Sequence, residues 1–428
     1  MPGGQNLMER STNRYLQHAM IAMLCLLLAA CGSLDLSPLG PGLTPDVIGM
    51  HDEPLEGQGD PNNWRTTIRF GTPEDDSVTS LAVAPDGGVL VAGFTSGQLS
   101  GIRNGGGRDG FVVKFDRNGI KRWTRTIRTS SDDVIAKVAV DARSNVYVAG
   151  TTDGLVADEL GGSTDAFVVK FDAAGRWHWS RQFGSVSMER VTDLRLTGEV
   201  VSIAGVWDVP NGRGFVVELR TNGTALNDTV FNPPRVPDAF EGTRIGWFDE
   251  FVLGSHGQAF GLSRQVAFKT SGAFSLVHYN ADGSVQGVTS ERGVLPILSS
   301  DAHGKLFYLR PYSTVQGVDQ SGNLTWTVHE RERVVSSATT DDDHVYAAGG
   351  CYELPLPIIV PDACFRSFVT RHDANGKELE RFELDVMPGR QAELFTALAV
   401  NGPNVFAAGY VSDGSNRDVM LARFVPSR

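Results

Sequence analysis

The sequence predicts an all-β chain: a seven-bladed β-propeller of four-stranded blades, closed by an N-terminal strand that pairs with the last blade. Three observations carry that expectation. A short apolar strand ending in glycine recurs along the chain. Each copy is followed by a second apolar strand that runs into a Gly-containing turn. The last unit lacks one strand, and a lone copy of that strand stands ahead of the first unit. Internal repetition at a fixed period is the signature of a repeat architecture.

The glycine-ended strand reads Val89-Leu90-Val91-Ala92-Gly93, Val146-Tyr147-Val148-Ala149-Gly150, Val201-Ser202-Ile203-Ala204-Gly205, Ala259-Phe260-Gly261, Val345-Tyr346-Ala347-Ala348-Gly349 and Val405-Phe406-Ala407-Ala408-Gly409. Leu306-Phe307-Tyr308-Leu309 is a degenerate copy in the one long gap. The second strand runs from Phe111 to Gly119, Phe167 to Gly175, Phe215 to Gly223, Ser275 to Gly283, Thr314 to Gly322 and Phe368 to Gly376, with a final copy from Val419 to Phe424. The turn glycines supply the positive φ that a tight hairpin needs. A strand often marked by Trp follows each turn, as at Trp123, Trp177 and Leu324, and an alternating strand precedes each glycine strand, as at Val78 to Val83 and Val134 to Val140. Each unit is thus four short strands, with no helical period between them. One such unit cannot bury both faces, whereas radial packing of several does. The seventh unit stops near Phe424, and residues 63–70 repeat the strand it lacks. Pairing of 63–70 with 418–424 would close the ring.

The first two units resemble the SBBP repeat, a β-propeller repeat of bacterial exported and surface proteins. The matching residues are Val146-Tyr147-Val148-Ala149-Gly150-Thr151-Thr152, Asp165-Ala166-Phe167-Val168-Val169-Lys170-Phe171-Asp172 with Gly175, and Asp109 to Gly119. The resemblance is good over residues 63–225, weak over 226–340 and returns over 332–424. It implies a propeller and export, and carries no settled catalytic residues.

The N-terminus supports export on its own terms. A polar stretch with Arg10 and Arg14 leads into an apolar run from Met20 to Ala30. That run is too short to span a bilayer and has the layout of an export signal. Leu28-Ala29-Ala30-Cys31 resembles the lipobox of bacterial lipoproteins. The resemblance implies cleavage before Cys31, lipid on its thiol and anchoring to the cell envelope, with the outer membrane favoured because no Asp follows. Residues 1–30 are then a signal peptide, 31–62 a lipidated Cys with a Pro-, Gly-, Asp- and Ser-rich tether, and 63–428 the propeller. Cys351 and Cys364 remain. In an oxidising compartment they suggest a disulfide worth roughly 3 kcal/mol, the alternative being two separate thiols.

The net charge is −12. An acidic surface repels phosphate backbones, so nucleic acid is not expected as a partner. The sequence holds no Gly-x-Ser-x-Gly, His-Glu-x-x-His, Cys-x-x-Cys or phosphate loop, and no catalytic residue is assigned.

Candidate binding residues come from repeat position. Asp76, Asp133, Glu189, Glu332 and Glu393 each stand seven residues before the end of an innermost strand. Together they could form an acidic ring at one mouth of the central channel, suited to Ca²⁺ or a basic peptide. The alternative is that each accepts backbone N–H bonds in its own loop. Asp109, Asp165 and Asp418 recur before the third strand and read as caps. His256, His303 and His344 fall in turns on one face, too far apart for one metal. Trp207 begins a loop after a glycine strand and is the aromatic expected to be exposed, while the other recurring tryptophans should pack between blades. The apolar, Pro-rich loop between Cys351 and Cys364 could offer a contact surface.

The function these features point to is a lipid-anchored, monomeric scaffold that binds an envelope protein or glycan. An enzyme acting on extracellular polysaccharide, or a component of an outer-membrane assembly complex, are the alternatives.

Overall fold

The computed structural model describes residues 48–51, 67–157, 161–207, 212–234, 243–267, 273–292, 296–301, 304–310, 314–319, 323–329, 334–341, 344–350, 367–384, 392–412 and 415–426. Among these, the only helical turns are single 3₁₀ turns at Leu99–Gly101 and Ser255–Gly257. The rest is strand and connecting turn.

The strands in chain order begin with β1 (Ile48–His51), β2 (Ile68–Phe70), β3 (Asp76–Val83), β4 (Val89–Thr95), β5 (Asp109–Phe115) and β6 (Lys121–Ile127). Next come β7 (Asp133–Val140), β8 (Val146–Thr152), β9 (Asp165–Phe171) and β10 (Trp177–Phe183). They are followed by β11 (Glu189–Thr197), β12 (Val200–Trp207), β13 (Gly214–Arg220) and β14 (Ala225–Phe231). Then β15 (Thr243–Leu253), β16 (Ala259–Ala267), β17 (Ala273–Tyr279) and β18 (Val285–Arg292) precede β19 (Ile297–Ser300), β20 (Leu306–Arg310), β21 (Thr314–Val318) and β22 (Leu324–His329). The last are β23 (Val334–Thr340), β24 (His344–Gly350), β25 (Ser367–Asp373), β26 (Glu378–Leu384), β27 (Ala392–Asn401), β28 (Asn404–Ser412) and β29 (Arg417–Phe424).

The expectation of seven separate blades is corrected. Five sheets stand alone as blades: β3–β6 with β1 on the outer edge, β7–β10, β11–β14, β15–β18 and β19–β22. All strands that remain form one eight-stranded sheet. Within it β23–β26 and β27–β29 are joined by a single bridge pair, Gly350 to Leu394. Hydrogen bonding thus continues across what repeat counting treats as a boundary. Such counting sees units in sequence and cannot see a ladder that joins two of them.

At the far edge of that sheet β2 pairs antiparallel with β29, matching Ile68 to Leu421 and Phe70 to Val419. Residues 63–66, also expected in this strand, lie outside the described residues. Residues 48–51 were read as tether, yet their backbone forms β1 against β6. The outer edge of a sheet offers unpaired N–H and C=O groups to any nearby extended segment.

The core lies between sheets. Phe70, Phe111 and Val91 from one end of the chain pack with Phe406, Val419 and Leu421 from the other. Tyr147 and Trp179 pack with Val201 and Phe215 at the next-but-one junction. The two parts of the eight-stranded sheet also bury side chains against each other, through Tyr346, Phe395 and Phe424.

The repeated glycines follow from inner-strand bulges. The register slips after Val78, Ile135, Val191, Val335 and Phe395, leaving one extra residue in β3, β7, β11, β23 and β27. A Cβ on Gly93, Gly150, Gly205 or Gly409 would strike the carbonyl of Ser77, Val134, Arg190 or Leu394, just before the slip. Only glycine lets the second strand pass the bulge. In the turns, Gly119 and Gly175 take φ of 81° and 76°, and Asp116 and Asp172 each accept two backbone N–H bonds that fix the loop.

Candidate functional site

The innermost strands β3, β7, β11, β15, β19, β23 and β27 surround an axial channel of about 770 Å³. Their bulges build it. The extra residue in four of these strands is a hydroxyl that donates to a carbonyl of the next inner strand around the ring. Thr79 reaches Ile135 O at 2.6 Å and Thr396 reaches Val78 O at 2.8 Å. Thr192 donates likewise to Phe251 O, and Ser336 to Phe395 O. Ala136 holds the same bulge position in β7 without a hydroxyl. Each bond satisfies a buried acceptor that the ladder leaves open and pins neighbouring sheets together.

One sector of the wall carries a charged network. Asp193 Oδ2 accepts from the Leu253 N–H at 2.9 Å and from Ser300 Oγ at 2.7 Å. Arg195 donates to Leu253 O at 2.7 Å and to Asp301 O at 3.3 Å, with Asp193 Oδ2 3.7 Å away. Asp301 Oδ2 accepts from Thr340 Oγ1 at 2.5 Å. These bonds join β11, β15, β19 and β23, and they consume the groups that form them. Elsewhere the wall presents half-buried Lys137 and Glu250. Burial pushes the Glu250 carboxyl up, opposed by the cations of Arg190 and Lys137. Ile297, at the start of β19, is apolar and 52% exposed on the same wall.

Among the proposed ring of acids, Asp76, Asp133 and Glu189 open β3, β7 and β11, are buried, and do not line the channel cavity. Asp76 Oδ2 accepts from the Thr72 N–H at 2.6 Å and from its hydroxyl at 3.1 Å. Asp133 accepts from the Thr129 N–H and from Thr152 Oγ1, both at 2.5 Å. Glu189 Oε1 accepts from the Ser185 N–H at 3.0 Å and from Ser185 Oγ at 2.6 Å. Each carboxylate therefore ties down the loop four residues before it. Glu332 and the side chain of Glu393 lie outside the described residues, as do Cys31, Cys351, Cys364, His303 and the His256 side chain. Among the described residues no group of three or more His, Cys, Asp or Glu is placed to hold a metal ion.

The structure brings these acids together in pairs. The acids read as caps of the third strand stand beside them at consecutive junctions: Asp418 by Asp76, Asp109 by Asp133 and Asp165 by Glu189. Both members of a pair flank the same backbone point, since a Cβ on Gly71 would lie 2.7 Å from Asp418 Oδ1 and 2.8 Å from Asp76 Oδ2. Burial, reinforced by the neighbouring carboxylate, pushes Asp76 and Asp133 up to about 6 and Glu189 up to about 8. Burial also raises Asp109. Repeat position located both sets of acids. That the two sets meet across a junction could be seen only once neighbouring sheets were in place.

The expected exposure of Trp207 is not found. It is 5% exposed and stacks on Phe215 with ring centroids 6.4 Å apart, because β12 extends through residue 207. Trp123 and Trp179 do pack between sheets: their indole N–H groups donate to Ala173 O at 3.3 Å and Thr221 O at 3.1 Å in the following blade's turn.

No family model matches the chain. A partial sequence match is to the regulatory protein FlaEY of Caulobacter vibrioides, 30% identical over 177 residues, which is 38% of this chain and 18% of that protein. The chain thus aligns with less than a fifth of that relative's length. Similar solved structures include the C-terminal WD40 domain of Sif2, with TM-score 0.47 and 8% identity over 84% of this chain and 97% of that one. The Dos1 propeller aligns with TM-score 0.43 and 11% identity over 83% of this chain and 95% of the other. The chain's own sheets make it an all-β propeller with five separate blades among the described residues.

Proposed function

We propose that this propeller is a binding scaffold that grips a protein partner at the mouth of its axial channel. The carrying observation is Ile297, a large apolar side chain left 52% exposed on the wall of a 770 Å³ channel whose other groups include Lys137 and Glu250. An exposed apolar group and opposite charges on the wall of one channel, carried by hydrogen-bonded strands, suit docking at little entropic cost. The partial likeness to a protein named as regulatory agrees with a binding role. The test is a photo-crosslinking side chain placed at Ile297 and, as a control, at Leu226 on an outer strand, 39% exposed. A discrete crosslinked protein at the channel position alone is expected. No adduct, or the same adducts from both positions, would refute the reading.

The finer reading is an SBBP-type repeat protein, exported and lipid-anchored through Cys31 at the cell envelope, with an envelope protein or glycan as ligand. The Leu28-Ala29-Ala30-Cys31 sequence supports it. Labelling by palmitate in the natural chain and its loss in Cys31→Ser is the expected result; equal labelling of both would overturn it.

A further inference from the structure

A second cavity, of about 300 Å³, lies between the β19–β22 blade and the turn that joins β25 to β26. Its origin is legible by comparing blades. Across the β7–β10 blade one row reads Tyr147, Lys170, Trp179, and across the first blade the same row reads Leu90, Lys114, Trp123. In both, the lysine reaches a carbonyl in the next blade's turn. Lys170 Nζ lies 5.1 Å from the Tyr147 ring centre and donates to Thr221 O at 2.6 Å. Lys114 Nζ reaches Ala173 O at 3.5 Å and the Asp86 carboxylate at 2.9 Å.

In the β19–β22 blade the row reads Phe307, Gly317, Trp326. The aromatic pair is kept at nearly the same spacing, 6.0 Å between ring centroids against 6.1 Å for Tyr147 and Trp179. Only the lysine is gone. Ala374 stands two residues before its turn glycine, the place held by Ala173 and Thr221 in the other junctions, and it lines the cavity with Asp341. The Trp326 ring has settled over Gly317, where a Cβ would come within 2.5 Å of Nε1. Among the described residues no bond joins the Trp326 indole to Ala374.

We propose that this cavity receives a lysine side chain from a partner polypeptide, in the place the chain's own lysines take at two of the other junctions. The alkyl stem lies along the Phe307–Trp326 pair, and the ammonium is held by an aromatic ring face, the Asp341 carboxylate and the turn at Ala374. Asp341 already accepts from Tyr346 OH at 2.8 Å and from the His344 N–H at 2.7 Å, which fixes its position. Lys305, whose Nζ donates to Asp341 O at 3.2 Å, is a cation at the rim that competes with an incoming one. The proposal does not depend on the channel reading, and failure of either leaves the other standing.

The test uses the full chain and isothermal titration with N-acetyl-lysine N-methylamide, its norleucine counterpart and its arginine counterpart. Saturable binding of the lysine compound is expected, with the other two at least about tenfold weaker, since neither places a compact ammonium at the end of that stem. Trp326→Ala should weaken it about tenfold. Gly317→Lys, which supplies the missing side chain internally, should abolish it. Should Gly317→Lys fail to fold, Trp326→Ala and the norleucine comparison still decide. Lys305→Ala should bind more tightly. Absence of saturable binding, equal binding of norleucine, undiminished binding by Trp326→Ala or by a folded Gly317→Lys, or weaker binding by Lys305→Ala would each overturn the proposal.

Discussion

Replacing Glu189 by Gln removes the charge from the most strongly perturbed carboxyl of the three junction pairs. Glu189 is 1% exposed, and its Oε2 has no hydrogen-bond partner among the described residues. Burial, with Asp165 nearby, raises its pKa from 4.5 to about 8. The folded state therefore holds this proton when the unfolded chain has already lost it. The stabilising contribution is full below about pH 4.5 and falls as pH rises, until the folded group itself ionises near 8. At pH 7 the unfolded chain gains about 2.5 pH units of ionisation free energy, roughly 3 kcal/mol at 1.36 kcal/mol per unit. Gln has no such dependence, and its amide N–H can donate toward Asp165. Urea unfolding of both proteins at pH 5, 6, 7 and 8 should show the variant gaining stability relative to the parent at each step, by about 1 kcal/mol per unit below pH 8. A stability difference that stays constant from pH 5 to 8 would refute the reasoning. Asp76 and Asp133, raised to about 6, add to the parent's decline only between pH 4 and 6.

Other consequences follow from the inner strands. Thr396→Val keeps the shape but removes the hydroxyl donated to Val78 O, and should lower unfolding stability by about 1 kcal/mol in urea melts, as one hydrogen bond lost with its acceptor left buried. Gly150→Ala forces a Cβ onto the Val134 carbonyl and should cost at least about 2 kcal/mol. Gly402→Ala, at φ 53° with open space around it, should cost less than half of that in the same urea melts, since only backbone strain opposes it.

The all-β, repeating character of the chain was legible because its causes are local, whereas the count of seven blades was not borne out. Alternation over short strands, turn glycines and the Val-Tyr-Val-Ala-Gly signature recur at each unit, and every one reports a constraint inside a single sheet. The signature's glycine marks the inner-strand bulge, although the bulge itself leaves no period that reading along the chain would reveal. Boundaries between sheets were less legible. The Gly350 to Leu394 bridge joins strands that the repeat separates, and it depends on backbone spacing rather than on residue type. For the candidate site, Asp76, Asp133 and Glu189 were legible by position, and the loop role offered as the alternative to a ring is the one they take, through Thr72, Thr129 and Ser185; their meeting with a second acid across the junction was not legible. The hydroxyls at 79, 192, 336 and 396 recur three or four residues after Asp76, Glu189, Glu332 and Glu393, a signal present in the sequence. Trp207 was misjudged because β12 continues beyond its glycine.

The channel and the junction of Asp418 with Asp76 require that β2 be hydrogen-bonded to β29, as the pairing of Arg69 with Met420 places it. Hydrogen–deuterium exchange on the native chain tests this directly. The amides of Ile68–Phe70 should exchange as slowly as those of Val419–Leu421, within about tenfold, because both would open only when the ring opens. Exchange of residues 68–70 within seconds, beside a protected 419–421, would contradict the closure of the two ends.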